Sequence, residues 1–242
     1  GRKTNYGKLD DMSQAAADAQ MAWQKASVDT MKSEFDYDKL TEDGKISWDI
    51  WAYQYDSALA ADKFRNNGYV FEQMGAVHTQ FPRILIAVHK VDTVSDMEAY
   101  ISRLSETGRA IEQLIVLSKT SAATGVHPPR FSFESVIDSA QKVITGAPFD
   151  DGKDSAIWAD AQSKINALLE KGDIDKAKAD GLKAAARKAL VNDWQPAYEN
   201  LIAWQKQDIK NTAKIGTGAG ALPNGKAYYN ERLANNTTTK LT

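Results

Sequence analysis

SDMEAYISRLSETGRAIEQLIVLS, residues 95–118, is the stretch that decides the fold class. Met97, Tyr100, Ile101, Leu104, Ile111, Leu114, Ile115 and Ser118 fall on one face at helical spacing, which predicts a long amphipathic helix. Ser95 and Glu98 have the spacing of a capping box, in which two side chains satisfy each other's free backbone N–H groups. The helix is therefore predicted to open at Ser95.

The same period extends outward in both directions. Upstream, Asp10 to Phe35 is Ala-rich and helical in pattern. Thr41-Glu42-Asp43-Gly44 opens a second helix over Ile46 to Arg65, crowded with Trp48, Trp51, Tyr53 and Tyr55 and ended by Asn66-Asn67-Gly68. YVFEQMGAVHTQFPRILIAVHKV, residues 69–91, has no clear period. There Thr79 is predicted to cap a short apolar helix with Pro82 in its first turn, where a missing N–H costs nothing. Residues 84–88, ILIAV, also admit a short buried strand.

Downstream, Ser121 to Pro129 is a break, Phe131 to Ile144 a helix, GAPFDDGKDS (146–155) a turn-rich connector and Ser155 to Glu170 an amphipathic helix. Asp173 is predicted to cap a segment reaching Thr212, with a kink or restart near Trp194 because Pro196 lies inside it. Residues 213–225 read as a flexible linker before a helix carrying Tyr228 and Tyr229. These patterns predict an all-α fold over residues 1–242. It is read as a single helical domain, an antiparallel bundle-like lobe of long kinked helices and irregular loops.

The 242 residues include 43% hydrophobic and 26% charged side chains, which is enough to bury a core without disulfides or metals. The formal charge of −2, with Lys and Arg interspersed among Asp and Glu, gives nucleic acid no basic face to bind. The absence of cysteine removes disulfides, thiolate metal sites and cysteine nucleophiles together. It leaves cytoplasm and periplasm equally open. No apolar run reaches the roughly 18 residues of a membrane span.

No catalytic constellation or metal set assembles from the sequence. GTGAG (216–220) lacks both the preceding strand and the following Lys-Ser/Thr that a phosphate loop needs. His78, His89 and His127 match no zinc spacing, and Asp150-Asp151-Gly152 with Asp154 lacks the order and distal Glu of a calcium loop. Two loops stand out as places to present binding groups. GAVHTQFPR (75–83) offers His78, which either faces a ligand or satisfies a buried carbonyl. GVHPPRF (125–131) offers Arg130, which either clamps a substrate carboxylate or pairs with Glu134 one turn on. Tyr228 and Tyr229 read as one core ring and one rim hydroxyl, or as substrate-facing phenols.

An ordered set of segments carries a resemblance. KLTEDGKISWDIWAYQ (39–54), GAVHTQFPRIL (75–85), DMEAYISRL (96–104), GVHPPRFSFESV (125–136) and ALPNGKAYYNERLANNTTTKLT (221–242) together resemble the bacterial family known as domain of unknown function 885. Its members include predicted lipoproteins. The resemblance implies a mostly helical, two-lobed protein similar to gluzincin-type metallopeptidases. In such proteins an H-E-x-x-H-like helix in the later half holds zinc and activates water. It further implies that this chain is the first half of a longer protein and ends before that motif. No cofactor is then expected in this chain, and zinc is expected in the full-length protein. The expected partners are the C-terminal catalytic lobe and a peptide substrate. A periplasmic or membrane-anchored location follows, with the cytoplasm still open. Asn236 departs from the pattern, because a histidine is more usual before Thr237-Thr238-Thr239.

Two functions follow. In the first, the chain walls one side of a substrate cleft and is inactive alone, with His78, Arg130, Tyr228 and Tyr229 facing that cleft. In the second, it is a self-sufficient, non-catalytic helical binding or scaffold domain.

Overall fold

A computed structural model describes residues 3–213 and 215–239. The fold is all-α. Its helices are α1 (Gln14–Glu34), α2 (Glu42–Asp62), α3 (Val77–Ala87), α4 (Val94–Ala123), α5 (Arg130–Val143), α6 (Ala156–Glu170), α7 (Lys176–Ala189), α8 (Gln195–Asp208) and α9 (Gly225–Thr237). No β-strand occurs among the described residues; the one extended pairing there is an isolated bridge between Ala147 and Asp154. The ILIAV stretch is helical through Ala87, so the strand option is corrected. Leu85 turns inward while Ile84 and Ile86 stay partly exposed, a one-sided burial that a short surface helix satisfies.

The chain divides into two compact units. The first contains residues 3–11, 70–119 and 127–216, hence α3, most of α4 and α5 to α8. Its core is the predicted α4 stripe: Met97, Tyr100, Leu104 and Ile111 are fully buried and Ile115 nearly so. Phe133 and Val136 of α5, Ile165 and Leu168 of α6 and Tyr198 and Leu201 of α8 complete it. α5 packs on α8 and α6 on α7.

The second unit contains residues 12–69, 120–126 and 217–239, hence α1, α2, α9 and the end of α4. α1 packs on α2, and α2 on α9. Here apolar burial is slight, and specific side-chain ties carry the packing. The Trp23 ring meets Trp51 edge-on at 5.9 Å, and Trp51 Nε1 donates to Ser27 Oγ at 3.2 Å. Arg65 pairs with both Asp18 and Asp62.

Several helix ends differ from expectation, each for a local reason. α4 opens one residue before Ser95, and its reciprocal cap is Thr93 with Asp96: Asp96 N donates to Thr93 Oγ1 at 3.3 Å and Thr93 N donates to Asp96 Oδ2 at 3.1 Å. Asp96 performs this because Lys3 anchors its carboxylate from the other side at 2.7 Å. Asp175, not Asp173, caps α7 by accepting from Lys178 N at 2.7 Å.

Thr79 lies inside α3 rather than capping it, and its hydroxyl donates to the Ala76 carbonyl at 2.8 Å. Pro82 is therefore in the helix interior, where it cannot donate to the carbonyl four residues back, that of His78. The buried Tyr198 hydroxyl donates to that carbonyl instead. A tertiary hydrogen bond thus replaces the one that proline removes.

The restart predicted near Trp194 is present: α7 ends at Ala189 and α8 begins at Gln195. The chain passes through a π-helical turn, Leu190–Trp194, and Pro196 sits in the first turn of α8, where its missing N–H is harmless. Gly108 of α4 lies against this turn. A Cβ added there would meet the Asp193 carbonyl oxygen at 2.6 Å, so the α4 backbone approaches closely only because that position is glycine.

Candidate functional site

His78 sits on α3 with no exposed surface. Its Nε2 lies 2.7 Å from Ser139 Oγ on α5, and the Ser139 hydroxyl donates onward to the Ser135 carbonyl at 2.8 Å. With that hydroxyl proton committed, the imidazole donates from Nε2 and leaves Nδ1 a bare, buried acceptor without a partner. Burial holds the pKa of His78 down at about 4. The group is thus a neutral imidazole tying α3 to α5. The GAVHTQFPR stretch is helical from Val77 onward rather than an irregular loop.

Arg130 is the first residue of α5, and Pro129 in the cap position supplies no side-chain cap to that helix. Arg130 is half-buried, and it pairs with no carboxylate among the described residues, Glu134 included. Ser139 lies nine residues further along α5, so the His78 imidazole and the start of the helix are roughly 14 Å apart along the axis. The structure does not bring His78 and Arg130 together.

His127, weighed in the sequence only as a metal ligand, has a different role. Three positions before Arg130 in the chain, His127 Nδ1 lies 3.0 and 3.1 Å from the two carboxylate oxygens of Asp208. Asp208 is 2% exposed and ends α8, where Asn211 Nδ2 also donates to it at 3.2 Å. A carboxylate only accepts, so His127 Nδ1 carries the proton and Nε2 is left as the free ring nitrogen. His127 retains 19% side-chain exposure. The loop is clamped at Pro128, whose carbonyl accepts from Thr212 Oγ1 at 2.8 Å. The arrangement is an imidazole oriented by a buried carboxylate, with an unpaired guanidinium three residues further along the chain. Nε2 can accept a hydrogen bond, and Arg130 can hold an anion. Sequence gave no sign of the pair, because His127 and Asp208 are 81 positions apart.

Tyr228 and Tyr229 belong to the second unit, on α9. Tyr228 packs its ring on Phe64 at 5.9 Å, and Tyr229 is 57% exposed. α9 begins where Gly225 presses on the preceding turn: a Cβ there would lie 2.2 Å from the Ala219 carbonyl oxygen.

The zinc that the resemblance implies finds no fitting donor set here. No group of three His, Cys, Asp or Glu side chains converges among the described residues. Asp150, read earlier beside a calcium loop, is turned inward to accept from Gly146 N at 2.9 Å and Gly152 N at 2.7 Å. Those two N–H groups hold its carboxyl below the usual range.

Comparison with solved structures finds a likeness to the crystal structure of the "putative lipoprotein" from Colwellia psychrerythraea, with a TM-score of 0.81 and 15% sequence identity. The match covers 98% of this chain and 40% of that one, so the chain spans less than half the length of its structural neighbour. At that identity the likeness speaks for the fold alone. No curated protein matches the sequence. Among the described residues no helix is long and apolar enough to cross a membrane. The family model described as "Bacterial protein of unknown function (DUF885)" matches residues 1–242, and the chain belongs to that family.

Proposed function

We propose that this chain is the N-terminal helical part of a larger peptidase-like protein and forms one wall of its substrate cleft. The observation that carries this reading is the unpaired Arg130 at the start of α5, three residues after the Asp208-held His127 in sequence. A guanidinium without an internal carboxylate is poised to take one from a ligand, in two parallel hydrogen bonds. The substrate class is a peptide with an accessible carboxylate. His78 contributes from beneath by fixing α3 against α5. The family match over the whole chain and the greater length of the structural neighbour support the reading. The zinc motif implied by resemblance to gluzincin-type peptidases would lie outside these residues, and this chain is inactive alone. The neighbour's description as a lipoprotein supports a periplasmic or membrane-anchored location.

Steady-state hydrolysis of matched peptides, with free and amidated C-termini, by the protein as its source cell makes it tests this function. Arg130→Ala is expected to raise KM for the free-carboxylate peptide by roughly tenfold to a hundredfold, the worth of a charge-assisted pair, with little change for the amidated one. An equal effect on both peptides, or none on either, contradicts the role of Arg130.

A further inference from the structure

Residues 3–11 lie along the first unit as a strap that starts in turns, with Tyr6 N donating to the Lys3 carbonyl and Lys8 N to the Asn5 carbonyl. Lys3 binds the Asp96 carboxylate at 2.7 Å, and the Tyr6 hydroxyl donates to the Lys90 carbonyl at 2.8 Å. Arg103 Nε donates to the Lys8 carbonyl at 3.1 Å, and Arg109 Nη2 donates to the carbonyls of Leu9 and Asp10 at 3.1 and 3.2 Å. Most of these ties are polar, and several reach the backbone of the strap. The strap is therefore held by the geometry of a few cations on α4 rather than by apolar burial.

His89 sits beneath the strap with 2% exposure. The Tyr6 ring stacks on it at 4.0 Å and 23°, and Tyr100 meets it edge-on at 5.3 Å. Its Nε2 is 3.1 Å from the Asp96 carbonyl, which can only accept; its Nδ1 is 3.1 Å from Arg103 Nη1, which can only donate. The ring is therefore neutral, with its proton on Nε2. The same Arg103 guanidinium lies 5.2 Å over the Tyr6 ring, so one cation joins the imidazole, the Tyr6 face and the Lys8 carbonyl.

We propose that residues 3–11 are a strap latched at neutral pH and released in mild acid, with His89 as the latch. A proton on Nδ1 would remove the acceptor that orients Arg103 and set an N–H⁺ against a guanidinium. Arg103 would then swing from Lys8 and Tyr6, and the strap would lose its centre.

The charged and titratable groups around His89 favour this direction. Arg103 on α4 and Lys164 on α6 oppose the proton, while the Asp96 carboxylate favours it. Lys3 of the strap already neutralises Asp96, and Asp92 lies 4.0 Å from the Lys3 ammonium. Lys164 is itself paired with Asp160, which also accepts from the Tyr100 hydroxyl at 2.8 Å. Burial is the largest effect, and it lowers the His89 pKa below the ordinary 6.5. A base whose latched pKa is depressed keeps its full contribution above pH 6.5 and loses it as pH falls from there. This inference does not depend on the peptidase reading.

The chain contains no cysteine, so Lys8→Cys places a single nitroxide label on the strap. Its electron paramagnetic resonance spectrum is followed from about pH 7.5 to about pH 5, the range in which a histidine titrates. An immobile label should become mobile with a midpoint below 6.5, while far-UV circular dichroism stays constant. His89→Gln keeps a donor toward the Asp96 carbonyl and cannot be protonated, so its label should stay immobile throughout. Arg103→Gln should show a mobile label already at neutral pH. An unchanged wild-type spectrum, release of His89→Gln with the wild-type midpoint, or an immobile label in Arg103→Gln at neutral pH would each overturn the proposal. If His89→Gln does not fold, the wild-type titration and Arg103→Gln decide it.

Discussion

Trp194→Ala is expected to cost the protein about 3–5 kcal/mol, the range for removing a large aromatic from a close-packed core. Trp194 is fully buried at the end of the π turn and stacks on Tyr198 at 5.3 Å and 26°. Tyr198 in turn donates to the His78 carbonyl that Pro82 leaves without its helical donor. Removing the indole therefore opens a cavity and loosens the side chain that repairs α3. One term runs the other way, because Trp194 Nε1 is a buried donor without a partner in this structure. Trp194→Phe deletes that donor while keeping a ring against Tyr198, and should lose less than half as much. Urea unfolding followed by far-UV circular dichroism gives both values; equal losses would mean that the stacked ring contributes nothing particular.

Acid should weaken the fold through His78. Its pKa falls from 6.5 in an unfolded chain to about 4 in the fold, because burial disfavours the charged imidazole. The unfolded chain thus binds the proton first as pH drops. The contribution is intact above 6.5, is lost progressively down to about 4, and is level below that. The full loss amounts to about 3 kcal/mol, from about 1.4 kcal/mol for each pKa unit. Other groups also change their charge with pH, so the informative quantity is the difference between wild type and His78→Leu. Urea unfolding of both at a series of pH values should show the wild type losing stability more steeply between 6.5 and 4, by close to one proton. Parallel curves would show that His78 can charge inside the fold.

The two effects bear on what was legible in the sequence. The α4 stripe was, because one long helix with an apolar face writes its burial in its own spacing. Met97, Tyr100 and Leu104 are buried as the period demands. The cap was misplaced by two residues because Thr93-Asp96 and Ser95-Glu98 have the same spacing, and only the Lys3 contact favours the first. Pro82 was read as a helix-start signal, and Pro196 as a sign of a kink or restart near Trp194, where α8 does begin anew. Pro82 instead lies inside α3, relieved by the Tyr198 hydroxyl from 116 positions away, and the π turn that precedes the restart at Gln195 has no local signature either. Likewise GVHPPRF drew notice for Arg130, while the partner that gives His127 its orientation lies at the far end of α8. Local rules located the elements. Side-chain chemistry assembled across elements stayed hidden because no residue's neighbours in sequence define it.

The measurement that bears most directly on the central claim is the intact mass of the protein as its source cell makes it. A helical part of a larger peptidase-like protein predicts a mass well above the 26.6 kDa of these 242 residues. A native mass of 26.6 kDa would contradict it and leave a self-sufficient helical binding module as the function.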